Sequence, residues 1–229
     1  MANRLREMGE GAGRRLMVGA AIKAVEQQGY SLKRQPGRGL TAVYDALKGP
    51  NKSVQSIRTT RDRWFAFPSL QNGKAWKTLD NCDLVTVAAV DSVENPQAVN
   101  VYLFPADEVR RRFDASYAAR TKAGHNVKND WGMWVMLDKG DDSVTSQVGH
   151  SLAVDYPAIA TFTLDELEAG IEVAPEAEAI VETAADEEEA EPAIPLNTVA
   201  EVLAFAQERI AALTGMPVEG VKLDLKMGV

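Results

Sequence analysis

Cysteine is nearly missing from this chain of 229 residues: Cys82 stands alone, so neither an intramolecular disulfide nor a cysteine-based zinc cluster can form. A reducing compartment, the cytoplasm, is the expected home. Histidine is almost as scarce, and neither His125 nor His150 belongs to a His-Glu-x-x-His metal motif. His150 lies beside Ser151 and near Asp155, but without a Gly-x-Ser-x-Gly elbow this combination defines no hydrolytic site. The glycine-rich stretch from Gly9 to Gly13 lacks both the Lys-Ser/Thr pair and the preceding strand of a phosphate loop. Long apolar runs are absent too. Leu16 to Val25 is too short and too interrupted to span a membrane, and no signal peptide is expected.

Cations are scarce in the last third. Residues 151–229 hold 3 Lys/Arg against 17 Asp/Glu, whereas residues 1–150 hold 22 against 16. The net charge of -8 therefore conceals a basic part joined to a strongly acidic one. Such a division suits a basic surface for an anionic partner, with an acidic segment that shields it or keeps the protein soluble.

What is present reads as a mixed α/β sheet. Leu16 to Gln28 predicts an amphipathic helix closed by Gly29, and strands are expected over Tyr30–Lys33 and Leu40–Leu47. Val54–Phe67 follows as one long strand or a strand pair, combining three arginines with an aromatic end. Cys82–Val90, nearly all apolar and rich in valine, has the composition of a central strand buried on both faces. Cys82 itself reads as a small core residue. Ala98–Phe104 and Trp131–Leu137 are further strands, and Pro105 opens a helix that should run to Lys122 and end at Gly124. The expected division is a core domain over 1–160, an acidic linker over 161–193 and a small helix-turn-strand module over 194–229. In that module Val199, Val202, Leu203, Ala206, Ile210 and Leu213 form an apolar stripe suited to docking or homo-oligomerisation.

The order of helix, strands and acids carries a resemblance. With Glu10 ahead of the first long helix, Asp45 on an early strand and Ser56-Ile57-Arg58 on the next, the chain resembles the restriction-endonuclease-like, PD-(D/E)XK, family over roughly residues 14–120. The resemblance implies that Glu10 corresponds to the first-helix acid and Asp45 to the metal-binding aspartate. Ser56 and Arg58 then stand at the acid-spacer-lysine positions. They depart from the pattern: Ser56 provides no carboxylate, and arginine does not release a proton near neutral pH. A degenerate, non-catalytic relative is thus expected, with no cofactor. If the protein were an active nuclease, Glu10, Asp45 and Arg58 would be its catalytic set and Asp45 its Mg²⁺ ligand.

Nucleic acid, DNA or RNA, is the expected partner. The spacing of Arg58, Arg61 and Arg63 would place at least two guanidiniums along one strand face, extended into a groove by Arg38, Lys33 and Arg34 from the neighbouring turn, to meet phosphates. Trp76, flanked by Lys74 and Lys77, is the expected base-stacking residue, while Trp64 reads as core. Arg58 could instead pair with Asp45 or Asp83. Arg111, within Arg110-Arg-Arg112, would contribute a helix-borne phosphate contact, although such runs are usually solvated faces. The competing readings are a protein-interaction or scaffold role, in which the basic face meets an acidic partner, and a metal-dependent nuclease.

Overall fold

The computed structural model describes residues 4–36 and 42–170, with Leu203 and Gln207 as isolated helical positions. Arg38 and nearly all of the module expected at 194–229 lie outside the described residues. The chain divides into two units, Met1–Glu188 and Glu189–Val229.

The first unit runs α1 (Arg4–Glu7), α2 (Glu10–Gln27), β1 (Ser31–Arg34), β2 (Ala42–Lys48), β3 (Asn51–Thr60), β4 (Trp64–Leu70), β5 (Ala75–Trp76), β6 (Leu84–Val90) and β7 (Ala98–Pro105). It continues with α3 (Ala106–Lys122), β8 (Gly132–Met136), α4 (Leu152–Asp155), β9 (Ala160–Thr163) and α5 (Leu164–Gly170). Six strands form a mixed sheet in the order β1-β2-β3-β6-β7-β9. Only β3 and β6 run parallel; every other neighbouring pair in this sheet is antiparallel. Two strands thus lie on each side of that parallel pair, and β6 is central as its valine-rich composition demands.

Each face of the sheet carries its own core. Against one face, α2 turns Leu16, Met17, Ala20, Ala21 and Ala24 onto Tyr44, Ile57, Ala88, Val99 and Val101. Small alanines at these positions let the helix approach closely. Against the other face, Val85, Val87 and Phe104 meet Val109 and Phe113 of α3 and the inner side of a second, three-stranded sheet ordered β5-β4-β8. Phe113 is the hub: its ring lies 5.5, 5.4 and 5.3 Å from those of Phe65, Phe67 and Trp76. Edge-to-face packing of this kind adds to the burial of each ring.

Two expectations are revised. The Val54–Phe67 run is split between two sheets, because the chain turns sharply after Thr60. Asp62 Oδ1 accepts hydrogen bonds from Thr60 Oγ1 (2.7 Å) and the Trp64 amide (3.0 Å), and Arg63 takes a left-handed φ of 63°. The connection from β3 to its parallel neighbour β6 is therefore built from β4, β5 and a short 3₁₀ turn at Leu79–Asn81. The boundary at 160 also moves: β9 pairs with β7, and Leu164 and Leu167 of α5 enter the α2-side core. The ten residues after 160, expected as linker, belong to the folded unit.

Candidate functional site

The β2–β3 hairpin places the family-like residues. Asp45 stands opposite Val54 and Val43 opposite Ser56, so Asp45, Val54, Ser56 and Arg58 share the face turned toward the second sheet. Glu10 is the first residue of α2. Ser56 is completely buried and its hydroxyl has no hydrogen-bond partner, so a carboxylate at this position would be costly to ionise. Arg58 lies four residues along β3 from the partner of Asp45, roughly 13 Å at strand rise. Its guanidinium rests 4.3 Å above the Phe67 ring and donates to Thr78 Oγ1 at 2.6 Å. Asp83, the other acid expected near Arg58, accepts the Val54 amide at 2.8 Å.

Asp45 is engaged on its own side of the hairpin. It accepts from Gln35 Nε2 at 2.8 Å and pairs with Lys52 Nζ at 3.0 Å, while Lys33 is its cross-strand neighbour on β1. The hydrogen bond from Gln35, then the one from Lys52, holds the Asp45 carboxyl below the usual carboxylate range. Among the described residues there is no group of three His, Cys, Asp or Glu able to hold a metal ion. Asp45 is thus already paired with a lysine, whereas a Mg²⁺ site relies on carboxylates together with retained water.

The three arginines of the run diverge instead of lining a groove. Arg58 points into the cleft beneath β4, as above. Arg61 packs on α2, where a Cβ added at Gly13 would stand 2.6 Å from its Nη2. Arg63 is a brace: Nε and Nη2 bind the two oxygens of Asp138 at 2.6 Å each, Nη1 donates to the Val90 carbonyl, and Nη2 reaches Tyr102 Oη at 3.1 Å. The bond to Asp138 chiefly raises its pKa. The turn after Thr60 breaks the alternation that would have aligned these side chains, and a guanidinium bonded to a carboxylate, a carbonyl and a phenol is committed to the fold.

Trp76 is likewise corrected. It is 1% exposed, donates Nε1–H to Asp114 Oδ1 at 2.8 Å and offers no face to a base. Lys74 and Lys77 beside it are exposed. Arg111 is exposed on α3 but paired through two bonds, of 2.8 and 2.6 Å, to Glu108. Arg110 bonds to Asp80 and Asp107, and Arg112 to Glu108, Asp155 and the His150 carbonyl. The bonds from Arg111, then Arg112, hold Glu108 at about 2. Cys82 is buried as expected, its thiol pushed up to about 11 by burial, which leaves no reactive thiolate near neutral pH. His150 contacts Ser151 through Nδ1 and lies 3.3 Å from Asp142 through Nε2, while Asp155 is taken by Arg112.

One surface was missed. On β4, Phe65, Phe67 and Ser69 face inward, leaving Trp64, Ala66, Pro68 and Leu70 on the outer side; on β8, Met133 and Val135 face inward, leaving Trp134 and Met136 outside. Period-two alternation was legible in both strands, yet each is apolar on both faces. Composition alone could not say which face the core would take. No family model, curated protein or solved structure matches this chain.

Proposed function

We propose that this protein is a non-catalytic nucleic-acid-binding protein built on a degenerate restriction-endonuclease-like core. The fold reading is supported by the main sheet: a helix, three antiparallel strands and, after the excursion through β4 and β5, a strand parallel to the third, with an acid on the second strand. The observation that carries the functional reading is the β1–β2–β3 face, where Lys33 and Lys52 flank a single carboxylate that lysine neutralises. Cations there can seat phosphates. Arg58 and Thr78 continue from this face toward Lys77, whose amide donates to the Pro68 carbonyl on the second sheet at 2.9 Å. The acidic segment after residue 170 competes with nucleic acid for these cations.

Binding of fluorescent DNA and RNA across salt concentration tests this, with cleavage followed in Mg²⁺ and Mn²⁺. Binding that weakens steeply with salt is expected, together with weaker binding and a shallower salt slope when Lys33 and Lys52 are both changed to Glu. No binding to any probe sinks the proposal. Metal-dependent cleavage that disappears in Asp45→Asn overturns its non-catalytic part.

A further inference from the structure

The second sheet buries only one of its faces. Its outer face carries Trp64 and Ala66 on β4 beside Met136 and Trp134 on β8, with Trp64 opposite Met136 and Ala66 opposite Trp134. Trp134 is 44% exposed, the largest side chain among the exposed apolar residues described. Its indole lies back along its own strand over Gly132, where a Cβ would stand 3.0 Å from Trp134 Cη2. The missing side chain lets the ring lie against the backbone with its opposite side toward solvent. Ala66, directly across, is too small to cover it. Trp64 sits diagonally on the adjoining strand, at a backbone spacing of about 7–8 Å, and because the Trp134 ring leans the other way, over Gly132 opposite Pro68, the two indoles are spread along the face, each open to a base of its own in an extended strand.

The charge at the rim matches a phosphate backbone. Lys77 lies beside Pro68 on this face with its side chain 60% exposed, Lys74 occupies the adjoining turn, and Lys128 stands 4.5 Å from the Trp131 ring where the chain enters β8. Asp130, 3.9 Å from Lys77, is the acid within this group. Arg120 holds β8 in place by donating to the Trp134 carbonyl at 3.3 Å and the Ser146 carbonyl at 3.2 Å.

From these features we infer that the outer face of the second sheet is a stacking platform for single-stranded nucleic acid: Trp64 and Trp134 each take one base, and the lysines of the rim take the phosphates. Unpaired bases expose the π faces that such indoles need, whereas a duplex keeps them within its own stack. This rests on the nucleic-acid reading above and adds the form of the ligand and the residues that distinguish it.

The full-length protein is titrated into a labelled oligothymidine single strand, an RNA single strand and a hairpin duplex, alongside Trp64→Ala, Trp134→Ala, Trp64→Phe and Trp134→Phe, each with its thermal midpoint measured. Each alanine variant is expected to bind single strands about fivefold or more weakly, with duplex binding unchanged, and each phenylalanine variant to recover most of the loss. Alanine variants that keep their thermal midpoints and bind single strands as tightly as the parent overturn the platform while leaving the nucleic-acid reading intact. Failure of every probe to bind removes both. Self-association lost in Trp134→Ala, with no change in single-strand binding, makes the face a protein interface and overturns the inference.

Discussion

Arg63 shows how far a single residue's role depends on the backbone beneath it. Composition marks it as one of three cations on a strand; the turn at 61–63 makes it the tie between β4, the end of β6, β7 and the residue following Leu137. Its side chain is 12% exposed, so Arg63→Ala leaves the Val90 carbonyl unpaired and Asp138 without its cation. A loss of about 2–3 kcal/mol is expected, read as a lower denaturant midpoint at unchanged slope. Arg63→Lys should recover little, since one ammonium cannot reproduce the forked pairing. The same contrast explains Trp76. Nearby lysines suggest exposure, but alternation turns Lys77 outward and the indole inward, while Lys74 lies in the turn before β5. Asp45, by comparison, was legible as a strand-borne acid. Its ties to Gln35 and Lys52 were not, because they depend on the register of β1 and β3 against β2.

Elements were read most reliably where their ends are chemically marked. α3 begins after Pro105 with Asp107 and Glu108 in its first turn and closes at Gly124, whose φ of 82° lets the Gly124 and His125 amides bond back to Thr121 and Arg120. Two-residue β5 and four-residue β9 were missed, since such short strands have no periodicity of their own and are defined by their partners. α3 also carries an acid-sensitive contact. Glu108 sits at about 2 in the fold against an ordinary value of 4.5, so its contribution is complete above about pH 5 and is lost as pH falls toward 2. Stability should decline across that window, and Glu108→Gln should flatten this part of the profile in chemical denaturation at successive pH values. The turn between β4 and β5 gives a second test of packing. At Gly73, φ is 76° and a Cβ would stand 2.4 Å from Tyr117 Cε1, so Gly73→Ala should lower stability by about 2 kcal/mol or more. Adding Tyr117→Ala should relieve the clash, giving a combined loss smaller than the sum of the two single changes.

At the scale of the whole molecule, placing the fold boundary at 170 softens the partition of charge, leaving a nearly balanced folded part ahead of an acidic one. Residues 1–170 hold 22 Lys/Arg against 20 Asp/Glu, and residues 171–229 hold 3 against 13. A chain ending at Gly170 keeps β9 and α5 and should retain its thermal midpoint, whereas one ending at Ala160 loses Phe162, Leu164 and Leu167 from the core and should unfold at lower temperature. The Gly170 chain should bind anionic probes more tightly than the full chain at low salt, with the difference shrinking as salt rises. The α/β class and the central place of β6 were legible because burial on both faces shows in composition. The second sheet was not, because its pairing joins segments far apart in the chain. That long-range pairing fixes when the outer face comes into being. Trp134 belongs to a strand that reaches the ribosome exit long after β4, so a nascent chain that has extended only through β7 presents Trp64 on an unpaired strand. The aromatic surface is complete only after β8 has emerged, and translation products cut short before it carry a bare apolar edge instead.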